Sequence, residues 1–414
     1  YDLPPLSGRL YNKPDIYEDE LDTLGEHITS THMARFHPAL EASFNRLEEK
    51  NKWTLSTGKV VEDVLNKLSK SCLVDHPSCS MILDLDDKTY IKEGLFTQEE
   101  IVEMKQKNLI GFVDTLPTDL ANYINGFNCD NAKELRAQLL QVQDWEHNYD
   151  LKKYHDFDWV KHTIFSFVRL YESGNLKKIQ KETWYNSHVW SLIDTIFDDI
   201  DTLHVIRGEA ANAASTRRKN IDRVIGSKDK IARAFTGYKC DLIVREEKAE
   251  HEYADEYGVG ETAVHHLNTK TIEEKGIKLP KVMKDMLDKL VTSNQNEYQD
   301  LSIFGIQTSG LSITLLAADK PTPYITRITK IKDLSVSSDI SHFTRSILPL
   351  IVLIWQFKQQ ILKVKKKVSL NQKRNYPKDN SGWLNTCLEY DNVVIMPVTS
   401  TSTEYVNKRR KHYA

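Results

Sequence analysis

The chain has 414 residues, enough for two or three domains of ordinary size and a substantial buried core. Apolar residues make up 40% of the sequence, charged residues make up 28%, and the formal net charge is −3, so no overall charge bias selects nucleic acid, a membrane or an acidic partner. Any nucleic-acid site must therefore be local. Five scattered cysteines are too few for a disulfide framework and indicate a reducing compartment. The first residues lack the pattern of a signal peptide, so we expect an intracellular protein, either nuclear or cytoplasmic.

Residues 1–185 are predicted to form a mainly helical region. "STGKVVEDVLNKLSKS" has apolar residues at helical spacing, and Ser56 and Thr57 precede it as capping residues. "FTQEEIVEMKQK" predicts a second helix with a capping box formed by Thr97 and Glu100. The role of this region is open, and binding of a protein partner is one hypothesis.

Residues 186–365 are predicted to form an α/β core, because strand-like and helical segments alternate from this point. The segments are, in order, "LHVIRG", an Ala-rich helix that opens at Glu209, "YKCDLIVR", "YGVGETAVHH", the helix "LPKVMKDMLDKLVTS", "LSIFGIQTSGLSITLLAAD" and "PYITRIT". The apolar run "SILPLIVLIW" is about half the length of a bilayer-spanning helix, so we expect a buried core helix and no membrane association. Residues 366–414 form a basic extension, which fits nuclear localisation, phosphate contact or a solvated tail.

Two carboxylates lie within segments that otherwise resemble buried strands. Asp241 lies in the first strand and Glu261 in the second, and strand alternation places them on one shared face if the two strands pair. Two close carboxylates repel each other unless a cation lies between them. Oxygen ligands suit Mg²⁺ or Mn²⁺, which would indicate phosphodiester chemistry. The alternative is that Arg or Lys neighbours neutralise both acids and no ligand binds. The acidic residues between the strands, 246–256, are predicted to form an exposed loop.

A basic segment directly precedes the first acidic strand. Residues 216–239 contain eight Lys or Arg against two Asp. The predicted contacts to DNA or RNA phosphates are Arg217, Arg218, Lys219 and Arg223. The alternative is a solvated helix face.

The order of these elements resembles the PD-(D/E)XK nuclease superfamily, which has the restriction-endonuclease-like fold. Within this superfamily, the chain resembles more specifically the divergent members found in fungal proteins and Crinkler-type effectors. The matching residues are Glu209 in "RGEAANAAS", Asp241 in "GYKCDLIV" and Glu261 in "GVGETA". The resemblance implies a mixed sheet flanked by helices, Mg²⁺-dependent cleavage of DNA or RNA, and the three acids as metal ligands.

The chain departs from the family pattern at Ala263, where a lysine is expected two residues after the glutamate. Lys239, on the face of Asp241, and Lys281, in the first turn of the next helix, are the two candidates to replace it. His265 could act as a general base instead. If none of them fills this role, the protein would be an inactive nucleic-acid-binding or protein-interaction module on the same fold.

Overall fold

The computed structural model describes residues 40–72, 75–108, 111–112, 115–221, 223, 233–247, 255–263, 274–292, 295–375, 396–397 and 399–400. The strands in these ranges are β1 (Ile82–Asp84), β2 (Leu203–Ala211), β3 (Lys239–Glu246), β4 (Glu256–Ala263), β5 (Ser302–Ser309), β6 (Ser312–Asp319) and β7 (Thr326–Ser335). The α-helices are α1 (Val61–Ser71), α2 (Thr89–Lys92), α3 (Gln98–Gln106), α4 (Thr118–Asn125), α5 (Ala132–Leu139), α6 (Asp144–His147), α7 (Leu151–Glu172), α8 (Glu182–His188), α9 (Leu192–Thr195), α10 (Ala213–Asn220), α11 (Leu279–Thr292) and α12 (Phe343–Asn375).

The described strands form one seven-stranded mixed sheet in the order β1-β7-β6-β5-β4-β3-β2. The pairs β1/β7 and β4/β5 are parallel, and the other neighbours are antiparallel. The parallel pair β4/β5 is joined through α11, as a crossover connection requires. The predicted α/β class with a mixed-sheet core is confirmed.

Two long helices cover opposite faces of the sheet, and glycines allow their close approach. A Cβ added at Gly258 of β4 would lie 3.2 Å from both Ile361 and Phe357 of α12. A Cβ added at Gly305 of β5 would lie 2.6 Å from the sulfur of Met283 in α11. Gly305 pairs with Val259, the residue after Gly258, so the two glycines lie on opposite faces. Larger residues at either position would push a helix away from the sheet.

Helix α12 contains the apolar run "SILPLIVLIW". The segment Ile340–Leu370 is long and apolar enough to cross a membrane by length and composition alone, a test that core helices of soluble proteins also pass. Its most apolar window is 67% buried, and Ile351, Ile354 and Phe357 belong to the main core. The helix therefore packs as the predicted core helix.

The main hydrophobic core extends across the predicted boundary at residue 185. Trp159 and Phe167 of α7 belong to the same buried cluster as Val244 of β3 and Ile351 of α12. A smaller cluster consists of buried apolar side chains between residues 47 and 104 together with Tyr324 and Ile325, which directly precede β7. The described part of the N-terminal region, which begins at residue 40, is mainly helical, yet it also contributes the edge strand β1. The proposed domain limits themselves stay a prediction.

The two predicted caps of the N-terminal helices differ in outcome. The capping box of α3 is confirmed, because Thr97 accepts from the Glu100 N–H while Glu100 accepts from the Thr97 N–H. The prediction for α1 was wrong, since its N-cap is Val60, which makes no side-chain cap. Ser56 and Thr57 instead donate to Glu103 and Glu100 of α3. Their hydroxyls join two elements rather than begin one helix.

Candidate functional site

The two strands that contain the predicted acids are adjacent and antiparallel. The last pair in the ladder on this side is Leu242 with Gly260, so one further step places Asp241 opposite Glu261. The Thr262 N–H donates to Asp241 Oδ2 at 2.8 Å, which fixes the direction of that carboxylate. Asp241 is half-buried and Glu261 is 3% exposed. The predicted pairing of these strands is therefore observed.

Glu209 lies on β2 and not, as predicted, on a helix. The β2/β3 register shifts between Arg207 and Ala210, so Gly208 and Glu209 form a bulge opposite Asp241. Both bulge residues have left-handed backbones, with φ values of 87° at Gly208 and 59° at Glu209. A glutamate in this region is strained, which is common at functional sites. The bulge places an exposed third carboxylate on the strand next to Asp241.

A lysine contacts Glu261, and it is one that the sequence analysis did not select. Lys278 lies just before α11, and its Nζ is 2.7 Å from Glu261 Oε2. Lys281 is directed elsewhere, because its buried ammonium donates to Asp75 and to the Ser400 carbonyl. Lys239 is exposed at the start of β3. His265 lies outside the described residues.

A buried glutamine adds an oxygen to the surroundings of Glu261. Gln307 of β5 is the partner of Glu261 in the parallel β4/β5 ladder, so the two side chains lie side by side on one face. Gln307 is 6% exposed, and its Oε1 finds no hydrogen-bond donor among the described residues. A buried amide oxygen without a donor is unusual in a folded protein and calls for an explanation. A bound cation would supply one.

The Cys240 thiol lies close to Glu261 but does not resemble an activated nucleophile. Burial raises the pKa of Cys240 well above its ordinary value, and the Glu261 carboxylate raises it further. A thiol in such surroundings stays protonated and unreactive at neutral pH. The chemistry of this region therefore depends on its carboxylates, Gln307 and Lys278.

The predicted phosphate-binding residues divide into two groups. Arg217 and Arg223 are exposed. Arg218 Nε is 2.8 Å from the buried carboxylate of Asp285, so this guanidinium holds α10 against α11. The Lys219 ammonium lies 4.2 Å from the centroid of the Tyr238 ring. Burial, followed by the charge of Arg218, lowers the pKa of Lys219.

The acidic segment between β3 and β4 is only partly the exposed loop that was predicted, and residues 248–254 lie outside the described part. Asp255 and Glu256 are buried. Glu256 accepts hydrogen bonds from the Ala213 and Ala214 N–H groups, which lie in the first turn of α10 and therefore have no acceptor within the helix. Arg245 also pairs with Glu256 at 2.6 Å. Glu256 therefore holds the start of the basic helix beside the acidic strands.

A second group of potential metal ligands lies on the other side of the sheet. His155, Asp156 and Asp199 each offer one ligand atom, and these three atoms lie within 4.8 Å of one another. In the part of the chain that the structure describes, this is the one group of three with such spacing. These side chains could hold a metal ion by their geometry. The Lys358 ammonium already lies among them, at 2.7 Å from Asp156 Oδ1 and 2.9 Å from Asp199 Oδ2. Glu209, Asp241 and Glu261 do not form such a group.

Lys358 and its neighbours satisfy one another. The Thr195 carbonyl can only accept, so His155 Nε2 donates to it at 3.1 Å, while Nδ1 lies 3.4 Å from Lys358 Nζ and 3.5 Å from Asp156 Oδ1. Burial by itself would raise the pKa of Asp156, but hydrogen bonds from His155 and Lys358 and the charge of Lys358 hold it well below its ordinary value. The group is a network of ion pairs and hydrogen bonds that links α7 to α12. No sequence pattern had indicated it.

Comparison with protein-family models, with curated proteins and with solved structures found no significant match. The resemblance to PD-(D/E)XK nucleases therefore depends on the motif residues alone and stays a prediction.

Proposed function

We propose that the chain is a metal-dependent phosphodiesterase that cleaves DNA or RNA, with Asp241 and Glu261 in its active site. The observation that carries this proposal is the 2.7 Å contact between Lys278 Nζ and Glu261 Oε2. Ala263 lacks the amine that such a site needs two residues after the glutamate, and Lys278 supplies one from the segment that precedes α11. The proposal thus replaces Lys239 and Lys281 with Lys278.

The side chains around Glu261 suit a hard divalent cation. The oxygens of Asp241, Glu261 and Gln307 come from three adjacent strands, and Mg²⁺ and Mn²⁺ prefer oxygen ligands. The Gln307 Oε1, buried and without a donor among the described residues, supports this fit. Glu209 could add a further carboxylate from the bulge. When bound, the cation would supply positive charge that stabilises the developing negative charge on a phosphate.

The other groups orient and hold. The Thr262 N–H fixes one oxygen of Asp241 and leaves the second oxygen of that carboxylate for a ligand. Lys278 holds Glu261 in place and carries protons that a water or a phosphate oxygen can accept. Arg217 and Arg223 are exposed members of the basic segment, and they would bind phosphates that flank the scissile one.

A second candidate function is nucleic-acid binding without cleavage. One observation favours it. Among the described residues, the ligand atoms of Glu209, Asp241 and Glu261 do not all lie within 4.8 Å of one another, whereas those of His155, Asp156 and Asp199 do. Lys278 would then act as the permanent counter-ion of Glu261. The two functions share the basic segment and differ only in whether a cation can enter.

Labelled single-stranded and double-stranded DNA and RNA, incubated with the full chain in Mg²⁺ or Mn²⁺, distinguish the two functions. We expect cleavage by the unmodified chain and none by Asp241→Asn or Glu261→Gln. Lys278→Met should reduce the rate about 100-fold or more, which is the usual effect of removing a group that assists proton transfer. Lys332→Met is the matched control, because Lys332 is an exposed lysine on β7, four strands from β3.

Cleavage that survives in both acid variants would contradict the proposed site. Salt-sensitive binding without cleavage by the unmodified chain would support the second candidate. A Lys278→Met variant as active as Lys332→Met would remove Lys278 from the reaction.

A further inference from the structure

An exposed aromatic ring lies beside the basic helix α10. Phe235 precedes β3 and is 58% exposed, and Ile221, which directly follows α10, is 69% exposed. Large apolar side chains normally gain free energy when they leave water. An exposed Phe and Ile at one place therefore indicate a surface that binds something.

The backbone around Phe235 is fixed although its ring is exposed. The Phe235 N–H donates to Asn220 Oδ1 and Asn220 Nδ2 donates to the Phe235 carbonyl, both at 2.8 Å. The Gly237 N–H donates to Thr216 Oγ1 at 3.0 Å, and the Tyr238 N–H donates to Ser215 Oγ at 2.9 Å. Side chains of α10 thus hold this segment in place. A ring on such a backbone is presented to solvent with little freedom to fold away.

The charges around the ring select its partner. Arg217 on α10, Arg223 just after it and Arg233 two residues before Phe235 are all exposed. Cations beside an exposed aromatic ring are typical of surfaces that bind single-stranded nucleic acid, where the backbone meets the cations and a base stacks on the ring. Bases within a duplex are already stacked on each other and offer no free face.

The ring is also close to the candidate site along the chain. Phe235 precedes Asp241 by six residues, so the two Cα atoms are at most about 20 Å apart even if the chain between them is fully extended. A single-stranded nucleic acid with one base stacked on Phe235 would have its neighbouring phosphates within reach of Asp241 and Glu261.

We propose that Phe235 is a stacking platform for an unpaired base of single-stranded DNA or RNA. The arginines beside it bind the adjoining phosphates. The inference builds on the proposed function only in naming the substrate class of that site. Binding to the platform itself needs neither metal nor cleavage.

Fluorescence anisotropy with a labelled single strand, alone and paired with its complement as a blunt-ended duplex, tests this proposal in EDTA, where a metal-dependent reaction cannot proceed. The full chain is compared with Phe235→Ala, Phe235→Tyr and the control Ile179→Ala, which removes an apolar side chain that is 87% exposed in another part of the surface. We expect Phe235→Ala to weaken single-strand binding roughly 5-fold to 150-fold, the effect of one lost base stack. Phe235→Tyr and Ile179→Ala should bind like the unmodified chain.

Duplex affinity should be nearly the same in all four proteins. Equal single-strand affinity of Phe235→Ala and Ile179→Ala would overturn the proposal, and so would an equal loss on both substrates or no binding by the unmodified chain. The cleavage assay gives a separate result. The expected binding pattern without cleavage keeps the platform and rejects the nuclease, whereas cleavage that is indifferent to Phe235 keeps the nuclease and rejects the platform.

Discussion

Lys358→Met removes the ammonium that contacts both Asp156 and Asp199. The Lys358 side chain is 2% exposed, and it contacts both carboxylates and His155 Nδ1. Methionine has nearly the same length and helix propensity, so packing within α12 should change little. What changes is that two carboxylates, one on α7 and one beyond α9, face each other without a cation.

Removing one partner of a buried ion pair typically costs about 3–5 kcal/mol, because the charge left behind is desolvated and unpaired. Asp156 and Asp199 keep side-chain exposures of 26% and 13%, so we expect the lower limit, about 3 kcal/mol at pH 7. Urea unfolding followed by tryptophan fluorescence measures this difference. The matched control is Lys366→Met, because Lys366 is exposed on the same helix.

The loss should depend on pH with a defined sign. The folded-state pKa of Asp156 is lowered, so its stabilising contribution is fully present above the ordinary carboxyl pKa and is lost progressively as the pH falls from that value through the lowered one. The difference between Lys358→Met and the unmodified chain should therefore be largest near neutral pH and shrink as the pH falls below about 4, the ordinary carboxyl pKa.

Divalent cations should partly restore Lys358→Met, because His155, Asp156 and Asp199 then present three ligands with no competing ammonium. At a Zn²⁺ or Mn²⁺ concentration 100 times the dissociation constant the gain would be about 2.7 kcal/mol. The unmodified chain should show no such gain. The reasoning fails if Lys358→Met is no less stable than Lys366→Met, or if its loss of stability is the same at about pH 3 as at pH 7.

Two further variants test other buried charges. Burial raises the pKa of Glu62 to about 7, and a carboxyl with a raised folded-state pKa destabilises the protein as the pH rises from its ordinary value to that one. Glu62→Gln should therefore be relatively more stable at pH 8 than at pH 5, by about 3 kcal/mol at most, in urea titrations at the two pH values; an unchanged difference would contradict the pKa. Arg327→Met should lower the free energy of unfolding by about 3–5 kcal/mol, since Arg327 pairs with the buried Asp319 and donates to the Met104 carbonyl of α3. Lys330→Met, on the same strand with an exposed pair, should lose less than about 1 kcal/mol, and equal losses would contradict this interpretation.

Local patterns predicted the elements that surround the candidate site. Helix α11 and strands β3 and β4 appear within a few residues of their predicted limits, and the single strand-like segment 301–319 forms the two strands β5 and β6. Apolar spacing and turn residues act over a few positions, which is why a sequence shows them. Glu209 is the exception, because its Ala-rich surroundings favour a helix while pairing with β3 draws the residue into a strand. Gly208 before it was the available signal of a bulge.

The sequence alone determined that two adjacent segments, one with Asp241 and one with Glu261, would form strands, since the spacing of apolar residues acts over a few positions. Only the tertiary structure decided what surrounds them. Lys278 contacts Glu261 across 17 positions of the chain, and Gln307 lies beside it through the β4/β5 register. The ion pair of Lys358 with Asp199 joins residues 159 positions apart. Such contacts depend on how helices and strands pack across the whole domain, and no local spacing encodes the direction in which a long side chain will extend.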